Sequence, residues 1–155
     1  MNKSSTRMML VFVFIFALIV PSRTFALTNA SSITDPPPGT EPFTVFDPDF
    51  KYLDNGNGYI SDLGNGKVSI GGQTLGTRIL DTIGVQVTLQ RWTGSEWVNA
   101  SIGSNVTNTD SSYTYSSREV SVSSGYYYRV ANRHWITYGN TLEEGTVYTS
   151  SILIN

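Results

Sequence analysis

Over residues 58–155, β-branched and aromatic side chains recur at alternate positions in short runs separated by turn-forming residues, and no window carries a helical repeat. Runs patterned this way bury one face each by pairing edge to edge, so the chain is expected to be all-β. The expected strands cover residues 59–63, 67–75, 85–92, 97–102, 112–122 with a break near Ser117, 126–137 and 146–154. Gly64-Asn65-Gly66, Thr93-Gly94-Ser95, Ser124-Gly125 and Gly139-Asn140 supply the turns.

Alternation also assigns faces. Val85, Val87 and Leu89 share the core side of the third run, and Gln86, Thr88, Gln90 and Trp92 share the other. In the sixth run Tyr126, Tyr128, Val130, Asn132, His134 and Ile136 form one set, while Tyr127, Arg129, Arg133 and Trp135 point the opposite way. About seven strands in about 100 residues predict a single antiparallel β-sandwich of the immunoglobulin or fibronectin-like kind, with a small barrel or jelly roll as the alternative. Ser124-Gly125-Tyr126-Tyr127-Tyr128-Arg129-Val130-Ala131-Asn132 resembles the corner and sixth strand of a fibronectin-type domain. That resemblance implies that Tyr126 or Tyr128 bonds its hydroxyl to upstream backbone. Missing cysteines and core tryptophan argue against a true antibody domain.

Gly64-Asn65-Gly66-Lys67-Val68, Leu89-Gln90-Arg91-Trp92 with Trp97-Val98, and Gly125-Tyr126-Tyr127-Tyr128-Arg129-Val130 carry a second resemblance. By these, the body of the chain is similar to small uncharacterised exported proteins of Bacillus-like Gram-positive bacteria. The resemblance implies a cell type and a fold class, and it transfers no activity.

The N-terminus fits export. Lys3 and Arg7 precede 13 apolar residues at positions 8–20, followed by Thr24-Phe25-Ala26. This is the pattern of a signal peptide, and it falls short of the roughly 20 residues that span a bilayer. Cleavage is expected after Ala26, with Ala30 the second choice, leaving a secreted, extracellular chain with no stable membrane insertion. The expected organisation is a signal peptide at 1–26, an extended Pro-rich arm at 27–58 and a β-domain at 59–155. Asp35-Pro36-Pro37-Pro38-Gly39 stiffens the arm, and Phe43, Val45, Phe46, Phe50 and Tyr52 give its second half a surface to lay against the domain.

Cleavage removes Lys3, Arg7 and Arg23 and no acid, which turns ten basic residues against twelve acidic into seven against twelve. The remaining basic residues are scattered singly, which argues against nucleic acid as a partner. The chain has no cysteine, so thiolate catalysis, cysteine metal sites, disulfides and a lipid-bearing cysteine are excluded.

No cofactor, metal or catalytic site is expected. His134 is the only imidazole and no Gly-x-Ser-x-Gly elbow accompanies it, so a structural strand histidine is expected. Asp54-Asn55-Gly56-Asn57-Gly58 has the oxygen-rich look of a calcium loop. Its third and fifth positions are glycines and its twelfth is Asn65, so a glycine-rich turn is expected instead. Glu143 and Glu144 are adjacent in an expected turn, where successive side chains diverge, so they do not make the carboxylate pair of a glycosidase.

The tryptophans carry the functional expectation. Trp92 and Trp97 flank a hairpin turn and face each other across it. If the third and sixth runs are neighbours, Gln86, Gln90, Trp92, Tyr127, Arg129, Arg133 and Trp135 decorate one outer face, and polar groups among aromatics suit a glycan or a protein partner. The expected function is a non-catalytic binding or structural module. An inhibitor or effector of another secreted protein, or a small carboxylate-based hydrolase, is the alternative.

Overall fold

A computed structural model describes residues 31–39 and 42–155. The expected signal segment and both expected cleavage positions lie outside the described residues. Seven antiparallel strands join in one strongly curled, half-barrel sheet. They are β1 (Phe43–Val45), β2 (Leu53–Gly64), β3 (Lys67–Trp92), β4 (Trp97–Ser121), β5 (Tyr127–Tyr138), β6 (Thr141–Tyr148) and β7 (Ile152–Leu153). The sheet runs β1-β6-β5-β3-β2, with β4 along the other side of β3 and β7 paired to β5.

Several expected elements differ from those observed. The runs at 67–75 and 85–92 are one strand, β3, and the runs at 97–102 and 112–122 are one strand, β4, unbroken at Ser117. The last run is instead two strands, β6 and β7. Pairing also begins within the expected arm, at Phe43 opposite Tyr148 and at Leu53 opposite Gly76. Two separate facing sheets are not what these pairings describe, since the seven strands share one sheet.

The curl has a local cause. Leu75 pairs with Tyr113 and Leu80 with Ser111, so five steps along β3 meet two along β4. Such surplus residues bend a strand and sharpen its twist. The bend also exchanges parity: Val68, Ile70 and Thr74 are buried before it, and Ile83, Val85, Val87 and Leu89 after it. As a result the two halves of β3 face each other. Val68 and Ile70 of the first half lie in one cluster with Val85, Val87 and Leu89 of the second, joined by Tyr128, Val130 and Ile154. A smaller cluster of Leu53, Leu80, Ile83 and Ile136 is flanked by Phe46, Phe50, Tyr52 and Tyr138. Burying each such side chain is worth roughly 1.5–3 kcal/mol before entropy is counted.

A polar band accompanies these clusters. Asn132, His134 and Thr74 are fully buried. Asn132 donates from Nδ2 to the carbonyls of Gly71 (3.1 Å) and Asn57 (3.2 Å). Side chains on Gly58 or Gly72 would collide with that amide, and one on Gly56 would meet the His134 ring. This explains the segment 54–58. It is strand, not the expected turn, and its glycines make room for β5.

Glu143 fastens β6 to the start of β2. Its carboxylate accepts from the backbone N–H groups of Lys51 (2.7 Å), Tyr52 (2.9 Å) and Leu53 (2.6 Å). Desolvation pushes this carboxyl up, but the three N–H donors and the charge of Lys51 outweigh it, and the group is held below the ordinary value.

Candidate binding face

The β3–β5 ladder sets Gln90 opposite Arg129, Gln86 opposite Arg133 and Gly84 opposite Trp135. The inward set is the one alternation predicts, with Tyr128, Val130, Asn132, His134 and Ile136 buried on β5. Hence Gln86, Gln90, Arg129, Arg133 and Trp135 share the outward side.

Arg129 is the centre of this side. Its Nε donates to Gln90 Oε1 at 2.9 Å, and Gln90 Nε2 donates in turn to Asn99 Oδ1 at 3.1 Å. The guanidinium lies 4.4 Å from the ring centres of both Trp97 and Tyr148, and 5.8 Å from that of Phe43. Phe43 and Tyr148 are stacked at 4.3 Å. Burial holds the guanidinium below its ordinary pKa, against a smaller opposing effect of Tyr148. The outcome is a cation fixed in place by one hydrogen bond and lined by ring faces.

Arg133 forms the second centre. It makes a two-pronged pair with Glu144, at 2.8 and 2.9 Å, and lies 4.7 Å from the Trp135 ring centre. The hydrogen bond raises the arginine pKa and lowers that of Glu144. The Trp135 indole covers Gly84 on the neighbouring strand, where a Cβ would strike it, so this ring has a packing role as well as an outward one. Adjacent Glu143 and Glu144 lie in strand β6 and not in the expected turn, and strand alternation points them to opposite sides of it.

Trp92 and Tyr127 are placed differently from expectation, and Gln86, though outward, is engaged by a neighbouring strand. Trp92 is buried, at 6% exposure. Its indole N–H donates to the Asp35 carbonyl at 3.1 Å, and it meets Trp97 at 5.4 Å. The N-terminal segment thus covers it. Gln86 turns to β4, donating to the Gly103 carbonyl at 3.0 Å. Tyr127 starts β5 and pairs with Leu153. Phe43, Trp97, Tyr148, Asn99 and Glu144 belong to the face but were not among the expected site residues. The aromatic character of Phe43 and the Trp92–Trp97 hairpin were the available signals.

No protein-family model matches this sequence, and no curated protein does. Among solved structures, a crystal structure of a protein from Archaeoglobus fulgidus is similar over 66% of this chain and 98% of that one, at 16% identity and a TM-score of 0.34.

Proposed function

We propose that this chain is an exported, non-catalytic binding module of the bacterial surface or its surroundings, and that its outward face takes a glycan. The observation that carries this reading is Arg129, held by Gln90 between the rings of Trp97 and Tyr148. Flat ring faces accept the C–H faces of sugars, and the fixed guanidinium with Asn99 and Arg133 offers donors to hydroxyls at the edge. Two groups that a hydrolase could have used are engaged in the fold: His134 is sealed inside, and Glu143 is committed to three backbone N–H groups. An immunoglobulin or fibronectin-like ancestry belongs to the same proposal. It is supported by the Tyr128 hydroxyl bonded to Ser123 backbone and by the facing halves of the curled sheet. So does kinship with the exported proteins of Bacillus-like bacteria.

The test is an array of bacterial surface glycans probed with the wild-type protein and Arg129→Ala. A glycan bound by the wild type is expected to lose at least about tenfold in affinity in the variant, as for a central anchor residue. The unfolding free energy should fall only by the roughly 1 kcal/mol that cation–π contacts supply. An array silent to the wild type ends the glycan reading. A protein retained from culture fluid through an Arg129-dependent contact would favour the inhibitor or effector reading instead.

A further inference from the structure

On the opposite, core side of the sheet, the curl brings the two ends of β4 together and leaves a cleft of about 320 Å³ between residues 98–100 and 120–123, floored by Leu89, Arg91 and Tyr128. Arg91 follows Val87 and Leu89 in parity, so it stands at the end of the inward row. Its guanidinium lies 4.7 Å from the Tyr126 ring centre. Its Nε is closed to solvent and has no hydrogen-bond partner among the described residues, and neither ion pair there involves it. Arg118, two residues before the wall residue Val120, reaches across the curl to Ser101, donating to its hydroxyl (2.9 Å) and its carbonyl (3.0 Å). Arg118 Nε is likewise buried without a partner. The lining carries no acidic residue.

Arg91 has its Nε closed to solvent without a partner and has no counter-charge beside it, so its remaining N–H groups are left to answer an anion, and the group that best matches the planar fork of a guanidinium is a carboxylate. The cleft volume lies at the lower end of the range for small-molecule sites. Val98, Val120 and Val122 give it apolar walls, Ser121 and Ser123 give it polar groups, and Asn99 stands at its rim. We propose that this cleft binds a small carboxylate ligand, with the acid group on Arg91 and the body of the molecule between the ends of β4. Two sources present that chemistry at this size: the free C-terminus of a short peptide, and a uronic acid. Arg91 lies on the other side of the sheet from Arg129, and Asn99, at the rim of the cleft, is the residue that both regions share.

The experiment is titration of the full chain, followed by amide chemical shifts, with N-acetyl-alanyl-alanine and its C-terminal amide in one arm and glucuronate and glucose in the other. One acid is expected to shift the amides of residues 98–100 and 120–123, at least about tenfold more tightly than its uncharged counterpart. Arg91→Gln should abolish the response. Ala100→Trp, which plugs the mouth from an exposed wall and leaves Arg91 and its stacking on Tyr126 untouched, should abolish it too, so loss of folding in the first variant does not spare the idea. Arg129→Ala should leave it unchanged. Acid and uncharged probes binding alike, neither acid binding up to tens of millimolar, or binding that survives Ala100→Trp would overturn the proposal.

Discussion

His134 Nδ1 lies 2.7 Å from the Thr74 hydroxyl, which itself donates to the Gly84 carbonyl at 2.9 Å. With the threonine proton so directed, the ring donates from Nδ1, and Nε2 keeps its lone pair in a sealed site beside Phe46 and Gly56. Desolvation accordingly lowers the pKa from 6.5 to about 4. The folded-state value lies below the unfolded one, so between them the unfolded chain binds more protons. This contribution to stability is complete above pH 6.5 and is lost as the pH falls toward 4, by about 3 kcal/mol at the limit. Urea midpoints measured between pH 7 and 4 should fall steeply in the wild type. In His134→Gln they should be much flatter across the same window, whatever that variant's starting stability. Parallel slopes would mean that the ring is not held neutral. Alternation alone turned His134 and Asn132 inward, because parity is local. What receives them, Thr74 and the glycines of β2 and β3, was not legible, because those partners come from strands distant in sequence.

Between strands, the junction of β4 and β5 shows why an element ends where it does. Gly125, at φ 82°, reverses the chain. The Tyr128 hydroxyl then donates to the Ser123 carbonyl at 3.1 Å and accepts from the Ser123 N–H at 3.2 Å, tying the end of β4 to the inward row of β5. Tyr128→Phe strands both backbone groups and should cost roughly 1–3 kcal/mol. Tyr127→Phe, whose hydroxyl has no such task, should be nearly silent. Equal losses in the two variants by urea denaturation would refute this account of the corner. The corner was legible because Ser-Gly followed by alternating aromatics is a short-range signal. The continuity of β3 was not, since Gly76, Thr77 and Arg78 have turn chemistry. Only the ladders to β2 and β4 show that the strand bends there instead of stopping. Trp92 was assigned to the correct side of its strand, but its cover, the carbonyl of Asp35, comes from the Pro-rich segment, and nothing local predicts that docking.

At the scale of the molecule, β3 and β4 each run through both halves of the curled sheet, and the larger hydrophobic cluster draws on both halves of β3. Neither half can open without exposing the other's apolar side. Native-state hydrogen exchange should therefore give the amides of Ile70 and Val87 the same opening free energy, and a gap larger than about 2 kcal/mol would show the halves to be separate cooperative units. The bend that joins them is exposed at residues 77–79, with Ile79 at 67%. A peptide bond cut there would leave Leu53, Val68 and Ile70 on one fragment and the rest of both clusters on the other, so neither would hold a complete core. Nicking at that point would turn folding from a unimolecular event into an association, with a midpoint that depends on concentration. The chain is in this sense a ready-made two-piece complementation system.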